Sequence, residues 1–239
     1  AGKIFNLKEK QLINICAAVE CIHSYSLIHD DLPCMDNDLI RRGKPSTHVK
    51  FGEASAVLAG SSLLTLAFEI IADRKYLLNP KTKNEIIRSL ASCSGHTGIA
   101  GGQELDLKFE NKKKNLNQII EMQKKKTGKL FNFCLYAVGV IAGKKNNEKF
   151  FLSNLGEEIG LLFQLADDFL DIKGSKKLTG KPVKKDGKKG KSTLLNLMGE
   201  KKAYLYAFNL KKKILLKLKK HGKKAKDLTN SIEFILGRN

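Results

Sequence analysis

The sequence predicts an all-α fold of long helices, and three observations carry that prediction. Apolar residues recur three or four positions apart through most of the 239 residues. The four prolines, Pro33, Pro45, Pro80 and Pro182, fall between the periodic segments and not inside them. Alternating apolar–polar runs joined by turn dipeptides, the mark of half-buried strands, are absent.

The first helical segment, 8–29, carries Leu12, Ile15, Val19, Ile22, Ser26 and Ile28 along one side. The same periodicity predicts helices over 53–72, 84–98, 115–142 and 146–172. A polar, Gly/Lys-rich loop is expected at 173–191, followed by a helix over 200–219 with the stripe Ala203, Ala207, Leu210, Ile214 and Leu218. With 42% hydrophobic residues the chain can bury one large core, so 1–239 is expected to form a single domain.

Composition narrows the function. The net charge of +20 raises the possibility of nucleic-acid binding. But 39 of the 44 basic residues are lysines, a skew typical of AT-rich genomes, and no zinc-finger spacing, RNA-binding aromatic motif or helix-turn-helix accompanies the charge. No nucleic-acid partner is expected. The five cysteines are odd in number and form no C-x-x-C pair, which predicts reduced thiols, no structural zinc and a cytoplasmic setting. The longest apolar run, LFNFCLYAVGVIAG at 130–143, is shorter than the roughly 18 residues of a membrane span, so no transmembrane segment is expected. The N-terminus lacks both an initiator Met and a signal-peptide h-region, which suggests a fragment. A plastid location therefore stays open.

Against this basic background, seven of the eleven aspartates gather in two stretches, HDDLPCMDND (29–38) and FQLADDFLD (163–171). Such clustering of like charges is costly unless a cation joins them. In the second stretch Asp167 and Asp171 are four apart and share one helix face, about 40° from each other, with Asp168 on the flank. In the first, Asp30 and Asp36 would stand about 120° out of register on a regular helix. Pro33 interrupts the helix between them and lets the chain swing Asp36 back beside Asp30. Arg41 and Arg42 follow at once, with forked donors suited to phosphate. A calcium loop is excluded because the sixth-position Gly and terminal Glu of an EF-hand are missing. GKKGKST (187–193) is no nucleotide P-loop, since Lys185 stands where the first Gly belongs and no strand precedes it.

VECIHSYSLIHDDLPCMDND, RRGKP, HVKFGE, GGQELDL, KTGKL, FQLADDFLD and GKST occur in the order seen in trans-prenyltransferases. From about residue 15 to 198 the chain resembles the short-chain farnesyl and geranylgeranyl diphosphate synthases of bacteria and plastids. The resemblance implies an isoprenoid-synthase helical bundle around a central cavity, usually a homodimer. It implies condensation of isopentenyl diphosphate with allylic diphosphates (dimethylallyl, geranyl) and release of pyrophosphate. It also implies Mg²⁺, three ions with substrate bound, held by Asp30, Asp36 and Asp167, with Asp31, Asp168 and Asp171 as water-mediated or supporting partners. Arg41, Lys126 and Lys181 would reach the allylic diphosphate with Lys191 nearby, and His23 and Arg42 would hold isopentenyl diphosphate. Thr127 and Gln164 would supply dipoles to the allylic cation, while Gln103 and Asp106 would make supporting helix–helix contacts.

Tyr25, five residues before Asp30, would floor the pocket early and favour a fifteen-carbon farnesyl product, with a twenty-carbon geranylgeranyl product as the alternative. The family's G-G-K-x-x-R-P segment is missing, which suggests that N-terminal helices are absent from the sequence. A catalytically silent subunit of a prenyl synthase is the rival reading, opposed by the intact aspartates of both clusters. A basic membrane- or nucleic-acid-binding role for KKKILLKLKK (211–220) is set against a solvated outer face, and a terpene cyclase would share the metal sites without needing a second diphosphate site.

Overall fold

The computed structural model describes residues 1–173 and 193–237, and these residues form a helical bundle. Two 3₁₀ turns, Gly2–Phe5 and Glu9–Gln11, lead into α1 (Ile13–Asp30). There follow α2 (Thr47–Phe51), α3 (Glu53–Ala72), α4 (Pro80–Ser94), α5 (Ile99–Phe109), α6 (Leu116–Gln123), a π-helical turn (Lys124–Gly128), α7 (Lys129–Ile141) and α8 (Asn146–Lys173). Beyond 192 come α9 (Leu194–Met198), α10 (Glu200–Leu218), a 3₁₀ stretch (Lys219–Ala225) and α11 (Lys226–Ile235). The loop expected at 173–191 lies almost wholly outside the described residues.

The boundaries follow local chemistry. Pro80 opens α4, and the Asn79 side chain accepts from the Thr82 N–H at 2.8 Å. Asn115 and Gln118 form a reciprocal capping box at the start of α6. The helix expected over 84–98 stops at Ser94, because the chain turns through Gly95 and Gly98 and starts α5 as a new helix. The helix expected over 115–142 is interrupted by the π turn. In α1 the buried stripe is Ile15, Ala18, Ile22 and Tyr25, whereas Leu12, Val19, Ser26 and Ile28 are only half-buried. The inward face is thus rotated from the one expected, because α3 packs along the Ala18 side.

A departure from the all-helical expectation follows α1. Ile40–Arg41 and Lys44–Pro45 pair antiparallel as a minimal hairpin. Its two-residue turn has φ of 52° at Arg42 and 77° at Gly43, both positive as a type I′ turn requires.

The core has two parts. One gathers α8, α10 and α11 around Leu155, Leu162, Leu165, Ile214 and Leu218. The other gathers α1, α3, α4 and α7 around Ile22, Ile71, Ile86, Leu90 and Phe133. α5 contributes Ile99 to one and Phe109 to the other, and α7 contributes to both, so these helices tie the halves together. Close backbone approach makes this possible. A Cβ at Gly160 of α8 would lie 2.6 Å from the Gly128 Cα, and one at Gly102 of α5 would overlap the Lys126 backbone.

Gly160→Val should therefore push α8 off the π turn. We expect a loss of about 2 kcal/mol, the cost of overpacking, read as a fall in melting temperature of roughly 5 °C in a thermal unfolding scan.

Candidate active site

The two aspartate clusters end α1 and α8. After Asp30 the chain closes on itself: the Asp36 N–H donates to the Asp30 carbonyl at 2.8 Å, and the Asp38 N–H to the Asp31 carbonyl at 3.1 Å. Asn37, with φ of 48°, takes the left-handed turn that this reversal needs. Asp36 thus returns to Asp30, the register that Pro33 was expected to restore.

By the resemblance, Asp31 would be a water-mediated or supporting partner of the metal. It is buried, and Arg41 grips it with Nε at 3.1 Å from both carboxylate oxygens and with Nη2 on Oδ1. Asp38, also buried, stands 3.8 Å from the same guanidinium. Arg41 is engaged with both of these carboxylates. The physical reason is desolvation: a buried carboxylate is costly unless a charged donor meets it, and the forked guanidinium does so at two oxygens.

The π turn stands between the clusters and serves both. On one side Lys126 Nζ donates to Asp106 Oδ2 at 2.6 Å and stands 3.9 Å from Asp36 Oδ2. Gln103 Nε2 reaches Asp36 Oδ1 at 3.5 Å, so the Gln103–Asp106 face of α5 makes the supporting contacts expected of it. On the other side the Thr127 hydroxyl donates to Gln164 Oε1 at 2.8 Å. That bond orients the Gln164 amide, whose Nε2 donates to Asp168 Oδ1 at 2.9 Å. Gln123 Nε2 donates to Asp168 Oδ2 at 3.2 Å. Asp168, 3% exposed, is held by two amides, while Asp167 and Asp171 are half-buried at the same end of α8. Lys181 and Lys191 lie outside the described residues.

Gln123 had not been singled out in the sequence. Its signal was a polar residue continuing the buried Ile119–Met122 stripe of α6 at helical spacing.

His23 and Arg42 meet as expected of a pair, with Arg42 Nη2 3.2 Å from His23 Nε2. Burial holds the His23 imidazole below the ordinary histidine range. Glu20 pulls the other way, and the guanidinium charges of Arg42 and Arg41, each a smaller effect than Glu20, add to the lowering. A neutral ring can accept from Arg42 through Nε2. Tyr25 is buried in the α1–α4 core with its ring edge-on to His29 at 5.2 Å. Burial, then Asp30, raises the Tyr25 phenol, so it stays protonated. His29 and His48 make structural contacts, with the Val57 carbonyl at 3.1 Å and the Ser46 hydroxyl at 3.3 Å.

Among the described residues no three His, Cys, Asp or Glu side chains converge closely enough to cage a metal ion. The donor set nevertheless fits Mg²⁺, which keeps much of its water shell and is held by one or two carboxylates plus phosphate oxygens. The buried Oε1 atoms of Gln103 and Gln123, on side chains that reach Asp36 and Asp168, have no hydrogen-bond partner among the described residues.

The family model for polyprenyl synthetases matches residues 1–234. The farnesyl diphosphate synthase of Escherichia coli (strain K12) is 44% identical over 204 residues, which cover 84% of this chain and 68% of that enzyme. An FPP/GFPP synthase from Zymomonas mobilis, solved as an apo structure, superposes with a TM-score of 0.87 at 38% identity, covering 98% of this chain and 79% of its own. A geranyltransferase from Helicobacter pylori, complexed with magnesium and isoprenyl diphosphate, gives a TM-score of 0.86 at 34% identity over 99% of this chain and 81% of its own.

The His23 assignment has a measurable consequence. Its imidazole should titrate by NMR below the ordinary histidine range, and Arg42→Gln should move the midpoint part of the way up. Because the folded state binds this proton less tightly than the unfolded chain, the stability it contributes is full above the unfolded histidine pKa. It is lost as pH falls through the lower folded value, and His23→Gln should flatten that part of a stability–pH profile.

Proposed function

The chain belongs to the polyprenyl synthetase family, and from that premise we propose that it is a short-chain prenyl diphosphate synthase. It joins isopentenyl diphosphate to dimethylallyl and then geranyl diphosphate, releasing pyrophosphate and giving farnesyl diphosphate as its main product. The observation that carries this reading is the π turn between two carboxylate clusters, with Lys126 turned to one and Thr127 to the other.

Carboxylates alone would repel a diphosphate. Asp30 and Asp36 at one cluster and Asp167 at the other, with Asp171 beside it, would hold Mg²⁺, three ions in all. Bound there, Mg²⁺ neutralises the charge that develops on the leaving diphosphate. The chain's own residues supply the rest. Lys126, poised between Asp106 and Asp36, offers its ammonium to the allylic diphosphate. The allylic C–O bond breaks, and the Gln164 amide, oriented by Thr127, presents a fixed dipole beside the resulting cation. The isopentenyl double bond attacks that cation, and His23 with Arg42 positions the second diphosphate. The proton released on closing the new double bond passes to pyrophosphate, so no protein base is needed. Asp31 and Arg41 act from behind, keeping the loop that carries Asp36 in place.

The outer face of α3 supports a homodimer. An 18-residue window in this helix has mean hydropathy 1.7, yet only 22% of it is buried. Leu58 is 68% exposed, and residues 54–68 carry no charge. α3 packs on α1 through its other face, so we take the exposed side to be covered by a second copy, not by lipid. Five free thiols, with Cys93 and Cys134 pushed well up by burial, favour a reducing compartment such as the cytoplasm.

Incubation with isopentenyl and dimethylallyl diphosphates should release pyrophosphate only when Mg²⁺ is present. Asp30→Ala and Asp167→Ala should each lower turnover at least about 10²-fold. Near-normal turnover in either variant would remove the metal role. Tyr25→Ala should lengthen the product past fifteen carbons in chromatography of the dephosphorylated alcohols, and an unchanged length would exclude Tyr25 as the floor.

A further inference from the structure

The helix α10 buries Ala203, Ala207, Ile214 and Leu218 against the core. At 100° per residue, its opposite side carries Lys201, Leu205, Phe208, Lys212, Leu216 and Lys219 in one stripe. The stripe is open: Leu205 is 58% exposed, Leu216 65% and Phe208 38%. Tyr204 extends it on one edge at 52% exposure. From Lys201 to Leu216 it runs about 22 Å.

Charge surrounds these apolar side chains on all sides. Residues 201–220 hold eight lysines and no acidic residue. Glu200 opens the helix, and Glu158 on its flank is engaged by Lys213 and Lys217 at 2.9 and 2.6 Å. The Lys212 ammonium lies 4.6 Å over the Phe208 ring, a cation–π contact that seats a lysine directly on the apolar stripe. Past the helix, exposed Lys220, Lys223 and Lys224 continue the basic surface.

We propose that this face docks the protein on an anionic lipid bilayer. Three considerations select that occupant. An apolar centre with a lysine border matches an interface of acyl chains beneath acidic headgroups. A second copy is disfavoured because a two-fold contact would set lysine against lysine, unlike the uncharged face of α3. A polynucleotide is disfavoured because the exposed centre of the stripe is aliphatic as much as aromatic, and leucines give a base nothing to stack on.

The test uses the whole protein and sedimentation with vesicles. Wild type should co-sediment with vesicles of phosphatidylcholine containing 30% phosphatidylglycerol, on the order of 10-fold more than with phosphatidylcholine alone, and binding should fall as salt rises. Leu205→Ser/Phe208→Ser/Leu216→Ser and Lys201→Gln/Lys212→Gln/Lys219→Gln should each lower partitioning on the order of 10-fold. Circular dichroism and solution turnover with soluble substrates, both unchanged, would show that the variants still fold. Failure to bind anionic vesicles in low salt would overturn the proposal. So would equal binding by the apolar variant, which would leave only a nonspecific polycation. Two further results would overturn it: loss of oligomer in the apolar variant by analytical ultracentrifugation, or binding to single-stranded RNA that depends on the three apolar residues. Neither result bears on the catalytic reading, which is tested by pyrophosphate release.

Discussion

One turn of π-helix, Lys124–Gly128, must present consecutive residues to two separate carboxylate clusters, and much of the structure is arranged to allow it. A π turn widens the helix and displaces its side chains from the α register, and such turns frequently mark functional positions. Here it lets Lys126 meet Asp106 and Asp36 while Thr127 meets Gln164. The wider turn needs room on both sides. Gly102 supplies it from α5 and Gly160 from α8, each at a point where a methyl group would collide with the turn. Three adjoining segments, α5, the π turn and α8, therefore depend on small residues at their contacts as well as on large apolar ones.

The electrostatics divide the aspartates by role. Asp31 and Asp168 are both almost wholly buried, and each has its charge met within the protein, by a guanidinium in one case and by two amides in the other. Such groups fix geometry, because removing a partner would leave an uncompensated buried charge. Asp30, Asp167 and Asp171 stand less buried beside them, where cations and phosphate oxygens can reach. Each cluster thus pairs a buried carboxylate that holds the frame with carboxylates that are less buried. Of the many basic residues, Arg41 and Lys126 enter this buried frame, while the rest of the basic chain raises the local potential for anions.

Among the helices that expose apolar side chains, α3 and α10 are separated by their surroundings. On α3 the exposed leucine and valine positions lie in a segment without charge, which suits a self-complementary protein contact. On α10 a comparable stripe is ringed by lysines. Exposed area is similar in kind, but the charge border decides what can cover it.

Composition, period and spacing determined a good deal by themselves: the all-α class, the long helices α3, α8 and α10, the return of Asp36 to Asp30, and the gathering of carboxylates into two clusters. These are legible because helical period and proline are local properties, and because carboxylates gathered in a basic chain need a cation. The hairpin at Arg42–Gly43 was not legible, since an arginine with positive φ is tolerated only where its surroundings hold it. Neither was the rotated inner face of α1, which depends on where α3 packs. Gln123 was legible only as a polar residue continuing the Ile119–Met122 stripe, and its partner Asp168 comes from a distant segment. Only tertiary structure could assign Asp31 to Arg41 and Asp168 to two amides. Adjacent aspartates look alike in sequence, and what separates them is burial, a property of the neighbours that the fold brings in from distant segments.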